Sequence, residues 1–323
     1  HVLFRRQRQM CIRDRIVNTL GASCVQFDSI KSYRVNPSKK VEGTLQRLEK
    51  FPSNFITARN VDVWLPENFD NTKKYSVLYM HDGQMLFDSD KTWNGQEWGV
   101  DEHLSALLID STIKETIVVG IWNVYSERNA NYFPQKVFKL LNKENKAALQ
   151  SMATKKKQEA FVNSDDYLKF IVTELKPYID THYPTKTTPK DNAIMGSSRG
   201  GLIALYALCE YPEVFGAAAC LSTPWIGTYS NTESNEIPYI IFDYLMDNLP
   251  SPKNHKIYFD YGTKKLDALY LPYQNLVSTV LEYKSFDDES MMNLKFEGHE
   301  HSEKFWNQRL AKPLTFLLKK TYE

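Results

Sequence analysis

Residues 194–208 read IMGSSRGGLIALYAL. An apolar run enters a turn of glycines and serines, and a helical pattern leaves it. Gly196-Ser197-Ser198-Arg199-Gly200 fits G-x-S-x-G, which places the middle serine on a sharp strand-to-helix turn. Small residues stand two before and two after it because the backbone there passes close to its neighbours. Ser198 is therefore expected to project its hydroxyl above the carboxyl edge of a sheet, where open α/β folds bind ligands. Ser197 falls on the strand side and reads as structural.

The surrounding pattern supports such a sheet. Strand-like runs are FITARNVDVWLP, YSVLYMHDG, TIVVGIWN, NAIMGS, FGAAACLS, HKIYFDYG and MNLKFEG. Helical patterns lie between most of them: WGVDEHLSALLID, SDDYLKFIVTELKPYIDTHY, GGLIALYALCEY, YLPYQNLVSTVLEYK and WNQRLAKPLTFLLKKTY. Apolar strands alternating with helices imply a mostly parallel sheet covered on both faces. No helical pattern separates the first strands, so the sheet is expected to begin with an antiparallel pair. Residues 123–163 do not fit the alternation. They include the lysine-rich, helix-prone KLLNKENKAALQSMATKKKQEAF, and an excursion this long reads as a lid or surface insert. It follows a strand, so it is expected on the same edge as Ser198, as a partly mobile lid without a large core of its own.

Composition narrows the classes. The chain has 323 residues, 42% hydrophobic and 24% charged, so it is globular. A net charge of +1 argues against nucleic acid as the main partner. No run of about 18 apolar residues exists, so no transmembrane segment is expected. Cys11, Cys24, Cys209 and Cys220 show no CxxC or Cys/His metal spacing. Residues 1–15, HVLFRRQRQMCIRDR, resemble a translated sequencing adapter and are left out of fold reasoning. IVNTLGASC after them reads either as the end of a signal segment with Cys24 as a lipoprotein-type cysteine, or as a truncated tail. The first reading slightly favours a periplasmic, secreted or lipoprotein location over the cytoplasm. Residues 1–43 are accordingly read as tail and linker, and 44–323 as one domain.

A serine hydroxyl is a weak nucleophile and needs a base oriented by a carboxylate. On this fold the order is serine, then acid, then histidine. His255 precedes a strand, at the wrong edge. His299 and His301 follow the last strand, where the base belongs. Asp267 lies in the loop after HKIYFDYG and is favoured as acid over Asp260, which lies within that strand. One oxyanion donor is the N–H after the nucleophile, that of Arg199. The other is expected from the turn in YMHDGQMLFD, at Gln84. His81 in that stretch reads as a packing residue. Trp93, Trp98 and Trp225 are candidates for stacking on a sugar or aromatic acyl group. His299 and His301 form an H-x-H pair, but no third metal ligand is evident nearby.

These segments together resemble the "putative esterase" branch of the α/β-hydrolases, which includes feruloyl and acetyl xylan esterases, enterobactin esterases, esterase D and antigen 85 mycolyltransferases. YMHDGQMLFD resembles its oxyanion turn, MGSSRGG its elbow, DYGTKKLDA its acid loop and GHEHSEKFW its base loop. The resemblance runs from about residue 44 to 318. In the base loop of that family a histidine precedes a tryptophan by five positions, which implies His301, ahead of Trp306, as the base. The implied fold is the α/β-hydrolase fold. The implied activity is ester hydrolysis through an acyl-enzyme, without cofactor or metal. The substrates implied are small-molecule or polysaccharide-linked esters such as acetyl or feruloyl; an acyltransferase, a siderophore esterase or a silent carbohydrate binder of the same fold are the alternatives. Arg199 departs from the family, which usually has methionine there, and is expected to put a cation or a salt bridge beside the pocket.

Overall fold

The computed structural model describes residues 30–37, 41–228 and 234–320. The readings made for residues 1–15, Cys11 and Cys24 lie outside them.

Among the described residues nine strands form one sheet in the order β1-β2-β3-β5-β4-β6-β7-β8-β9. The strands are β1 Ser32–Arg34, β2 Thr44–Phe51, β3 Arg59–Leu65, β4 Ser76–His81, β5 Thr116–Ile121, β6 Asn192–Ser197, β7 Ala217–Leu221, β8 Lys256–Gly262 and β9 Met291–Phe296. β1, β2 and β3 pair antiparallel, and β3 meets β5 antiparallel. All pairings from β5 through β9 are parallel. This is the α/β-hydrolase fold that the sequence implies. β4, β5, β6 and β7 are buried along their whole length, as strands covered on both faces must be.

The helices are α1 Val100–Ile109, α2 Arg128–Tyr132, α3 Gln135–Leu140, α4 Lys143–Lys155, α5 Ser164–Phe170, α6 Lys176–His182, α7 Arg199–Glu210, α8 Ile237–Asn248, α9 Leu271–Tyr283, α10 Glu303–Arg309 and α11 Ala311–Leu318. A π-turn over Ile171–Leu175 joins α5 to α6, just before Pro177, whose nitrogen cannot donate to the preceding turn. α7 buries every residue but its last.

Three expectations are corrected. β1 lies within the stretch read as a tail, and its residues pair with 46–48 of β2. β2 itself, with the mixed sequence TLQRLEKF, shows too little alternation to stand out. The final helical pattern is two helices, because Pro313 lacks the N–H that would bond the Arg309 carbonyl. The insert, in keeping with its lysine-rich sequence, has no separate core: Tyr132, Phe133, Val137, Leu141 and Leu149 are buried in the main one.

Parallel strands point one way, so the segments after β4, β5, β6, β7, β8 and β9 emerge along one edge. β4 lies between β5 and β6. The chain thus reverses its lateral direction across β4, and such a switch point opens a crevice at the carboxyl edge.

Candidate active site

Ser198 stands at the turn between β6 and α7 with φ 53° and ψ −129°. A side chain held in that region costs about 1–3 kcal/mol, sustained only where the surroundings fix it. They do so here. The Ser198 N–H donates to the Leu221 carbonyl at 2.8 Å, and its own carbonyl accepts from Gly201 at 2.9 Å. A Cβ on Gly196 would lie 2.5 Å from the Gly200 carbonyl carbon, so no side chain fits where the spacing calls for glycine.

The turn after β4 faces it. Asp82 has φ 57°, and Gly83–Met85 form a 3₁₀ turn. A Cβ on Gly83 would lie 2.5 Å from the Gly120 backbone. Gln84 and Arg199 sit at the amino ends of this turn and of α7, where backbone N–H groups point out along the axis of the element. The turn is braced by the insert. Arg128 donates to both carboxylate oxygens of Asp82 at 2.8 and 2.7 Å, and Asn123 Nδ2 donates to one of them at 2.7 Å. The Asn123 N–H donates to Gln84 Oε1 at 3.1 Å. Burial opposes the charge on Asp82, but Arg128 and Asn123 outweigh it and hold its pKa below the ordinary value. His81 beneath is buried, bonded through Nδ1 to the Tyr167 hydroxyl at 2.8 Å, and burial pushes its pKa down to about 3.

Asp267 and His301 meet across the other side. His301 Nδ1 lies 2.6 Å from Asp267 Oδ1. Asp267 is fully buried in the 3₁₀ turn Lys265–Leu269. Its Oδ2 accepts from Ser222 Oγ at 2.6 Å and from the Gly262 N–H at 2.8 Å. Burial raises its pKa, but His301, Ser222 and Gly262 together bring it below the usual carboxylate value. The two loops are clipped together, since the His299 carbonyl accepts from both Thr263 and Lys264 at 3.0 Å. The His299 ring turns away, against Phe305 at 4.8 Å. Trp306 stands edge-on to the His301 ring at 5.1 Å.

Asp260, the other carboxylate considered, is buried beneath. It lies 2.9 Å from Arg309 Nη2 and accepts from the Tyr258 hydroxyl at 3.0 Å. Burial outweighs Arg309 and raises its pKa to about 6.

Ser198, Arg199, Gln84 and His301 line one cavity of about 910 Å³. No hydrogen bond joins Ser198 Oγ to His301 among the described residues, although both border this cavity. Trp93, 83% exposed, and Trp98, buried against Trp306, both border the cavity. Trp225 does not: it is fully buried between Phe242 and Phe259 and bonds Gln274, while its neighbour Pro224 reaches the wall. Trp122 and Tyr270 also line the cavity and were not singled out from the sequence. The Arg199 side chain is buried and donates to the Gly227 carbonyl at 2.7 Å, so the cation expected beside the pocket ties down the segment after β7. Insert residues Asn129, Met152, Lys156 and Gln158 form part of the wall, on the edge expected of them.

Comparison with known proteins agrees with this layout. A family model described as "Putative esterase" matches residues 54–317. The "Uncharacterized protein YjcH" of Bacillus subtilis (strain 168) is 22% identical over 230 residues, which are 70% of this chain and 75% of that protein. A ferulic acid esterase from the anaerobic fungus Anaeromyces mucronatus superposes with a TM-score of 0.58 at 19% identity, covering 88% of this chain and 93% of that one. The enterochelin esterase of Shigella flexneri superposes with a TM-score of 0.59 at 16% identity, covering 88% of this chain and 60% of that one. The two structural likenesses are likenesses of fold. No helix among the described residues is long and apolar enough to cross a membrane.

Proposed function

The chain belongs to the "Putative esterase" family, as a serine carboxylic ester hydrolase of the α/β-hydrolase fold, and from that premise we propose that Ser198, His301 and Asp267 are its catalytic triad. The Gln84 and Arg199 N–H groups form the oxyanion hole. The observation that carries the reading is the 2.6 Å contact between His301 Nδ1 and the buried Asp267 carboxylate, beside a cavity that Ser198 shares.

Ser198 Oγ attacks the ester carbonyl carbon as its proton passes to His301 Nε2. The carbonyl oxygen gains the negative charge and turns toward the Gln84 and Arg199 N–H groups. Collapse of the tetrahedral intermediate breaks the bond to the alcohol oxygen, which leaves with the proton held by His301. Water then gives its proton to Nε2 and attacks the acyl-enzyme, and the acid departs as Ser198 recovers the proton. Asp267 stays ionised throughout and stabilises the imidazolium.

The substrates are carbohydrate-linked acyl esters, acetyl or feruloyl. Supporting this are the cavity's aromatic walls, Trp93, Trp122, Tyr125 and Tyr270, since aromatic faces pack on sugar and phenolic rings alike. A panel of acetyl, feruloyl and longer p-nitrophenyl and sugar esters tests it, with Ser198→Ala as control. Preference for acetyl or feruloyl sugar esters supports the assignment. Preference for long-chain p-nitrophenyl esters refutes it.

A further inference from the structure

We propose that Ser222, held in place by Arg309 and Asp260, is a positioning residue that locks the Asp267 carboxylate in register with His301; this rests on the triad reading above.

Ser222 follows β7 with φ 46° and is fully buried. Its hydroxyl has one hydrogen and two lone pairs. Trp306 Nε1 donates to Oγ at 3.0 Å and Arg309 Nη2 at 2.8 Å. Indole and guanidinium nitrogens donate only, so both lone pairs are taken. The single hydroxyl hydrogen is left to Asp267 Oδ2, 2.6 Å away. That oxygen also takes the Gly262 N–H, which leaves Oδ1 for His301 Nδ1. The count of protons thereby selects the histidine tautomer with hydrogen on Nδ1 and a lone pair on Nε2.

Arg309 makes this arrangement directional. Its Nη2 is 2.9 Å from Asp260 Oδ1 but 3.8 Å from Asp267 Oδ2. The Phe296 ring lies 5.1 Å from the guanidinium carbon. Asp260 holds the cation one layer down, so Asp267 receives a hydrogen bond from a neutral hydroxyl and keeps its charge for His301. The charged and titratable groups around the cluster are Cys220 from β7, Tyr258 and Asp260 from β8, Asp267 from the turn after it and Tyr270 at that turn's end, His299 and His301 from the loop before α10, and Arg309 from α10.

Ser222→Gly isolates the hydroxyl, because glycine accepts the positive φ without strain. The expected result is a fall in kcat of about tenfold to a hundredfold with KM changed less than about threefold. The downfield proton resonance of His301 Nδ1–H should also weaken or move upfield. A folded Ser222→Gly variant with kcat within about twofold of the parent overturns the proposal. Asp260→Asn supplies a second arm. It leaves Asp267 as the nearest counter-ion for Arg309, so the acid limb of the kcat/KM profile should move to lower pH by about half a unit or more. An unmoved limb contradicts the role given to Asp260. Ser198→Ala and His301→Ala are run alongside. Turnover retained in either one refutes the triad itself, whereas loss in both with a normal Ser222→Gly refutes only the positioning role.

Discussion

The Arg128 guanidinium forks onto the Asp82 carboxylate at 2.8 and 2.7 Å, joining the insert after β5 to the turn after β4. Bidentate contacts of this kind fix orientation as well as charge. Asp82 has φ 57° and immediately precedes the Gly83–Met85 turn that presents the Gln84 N–H. The insert therefore braces the turn proposed to carry an oxyanion donor and forms part of the cavity wall. Arg128→Ala should lower kcat by about tenfold or more, short of the 10²–10³ that loss of an oxyanion donor costs. Arg128→Lys keeps the charge without the fork and should fall between the two. Steady-state kinetics on one fast ester checks this; an unchanged kcat in Arg128→Ala would show that the turn holds its shape alone.

Two tryptophans should separate binding from stability. Trp93 is 83% exposed on the cavity rim, and Trp225 is fully buried in the core. Trp93→Ala should raise KM for sugar or feruloyl esters several-fold with little change in thermal stability. Trp225→Ala should cost about 3–5 kcal/mol, as truncation of a buried aromatic does, and leave the order of substrate preference intact. Denaturant melts and a substrate panel on both variants settle the matter, and a reversed pattern would move Trp225 to the pocket.

Acid should weaken the fold through the buried carboxylates. Burial alone would raise the pKa of Asp82 and Asp267, yet their partners bring both below the ordinary value. A lowered folded-state pKa means stability that is fully present above the unfolded value, about 3.9 for aspartate, and lost as pH falls through the folded one. Asp260 has the opposite sign. Its pKa is raised to about 6, so its contribution is largest below about pH 4 and fades as pH rises through 6. The stability gap between the parent and Asp267→Asn should shrink as pH drops from 5 toward 2. A gap independent of pH in urea melts would show that the Asp267 partners do not act through its charge.

The elbow was legible because sterics leave no choice at Gly196, where a Cβ would strike Gly200. The buried central strands were legible from apolar runs, and the meeting of the Asp267 and His301 loops from their place after β8 and β9. What escaped depends on contacts remote in sequence. Arg128 meets Asp82 across 46 positions, Ser222 meets Asp267 across 45 and Arg309 meets Ser222 across 87. No local pattern marks such residues, since a serine after a strand or an arginine in a helix is ordinary on its own. Trp225 misled for the same reason: a tryptophan just beyond a strand end can turn toward the cavity or the core, and Phe242, Phe259 and Gln274 decide it.

The identity of the nucleophile is the claim on which the mechanism turns, and covalent labelling reads it directly. Intact-protein mass spectrometry after reaction with a fluorophosphonate should show one adduct, and peptide mapping should place it on Ser198. Ser198→Ala should take up no label and lose ester turnover by several orders of magnitude while keeping its thermal melt. An adduct on Ser197, or full turnover in Ser198→Ala, would contradict the account.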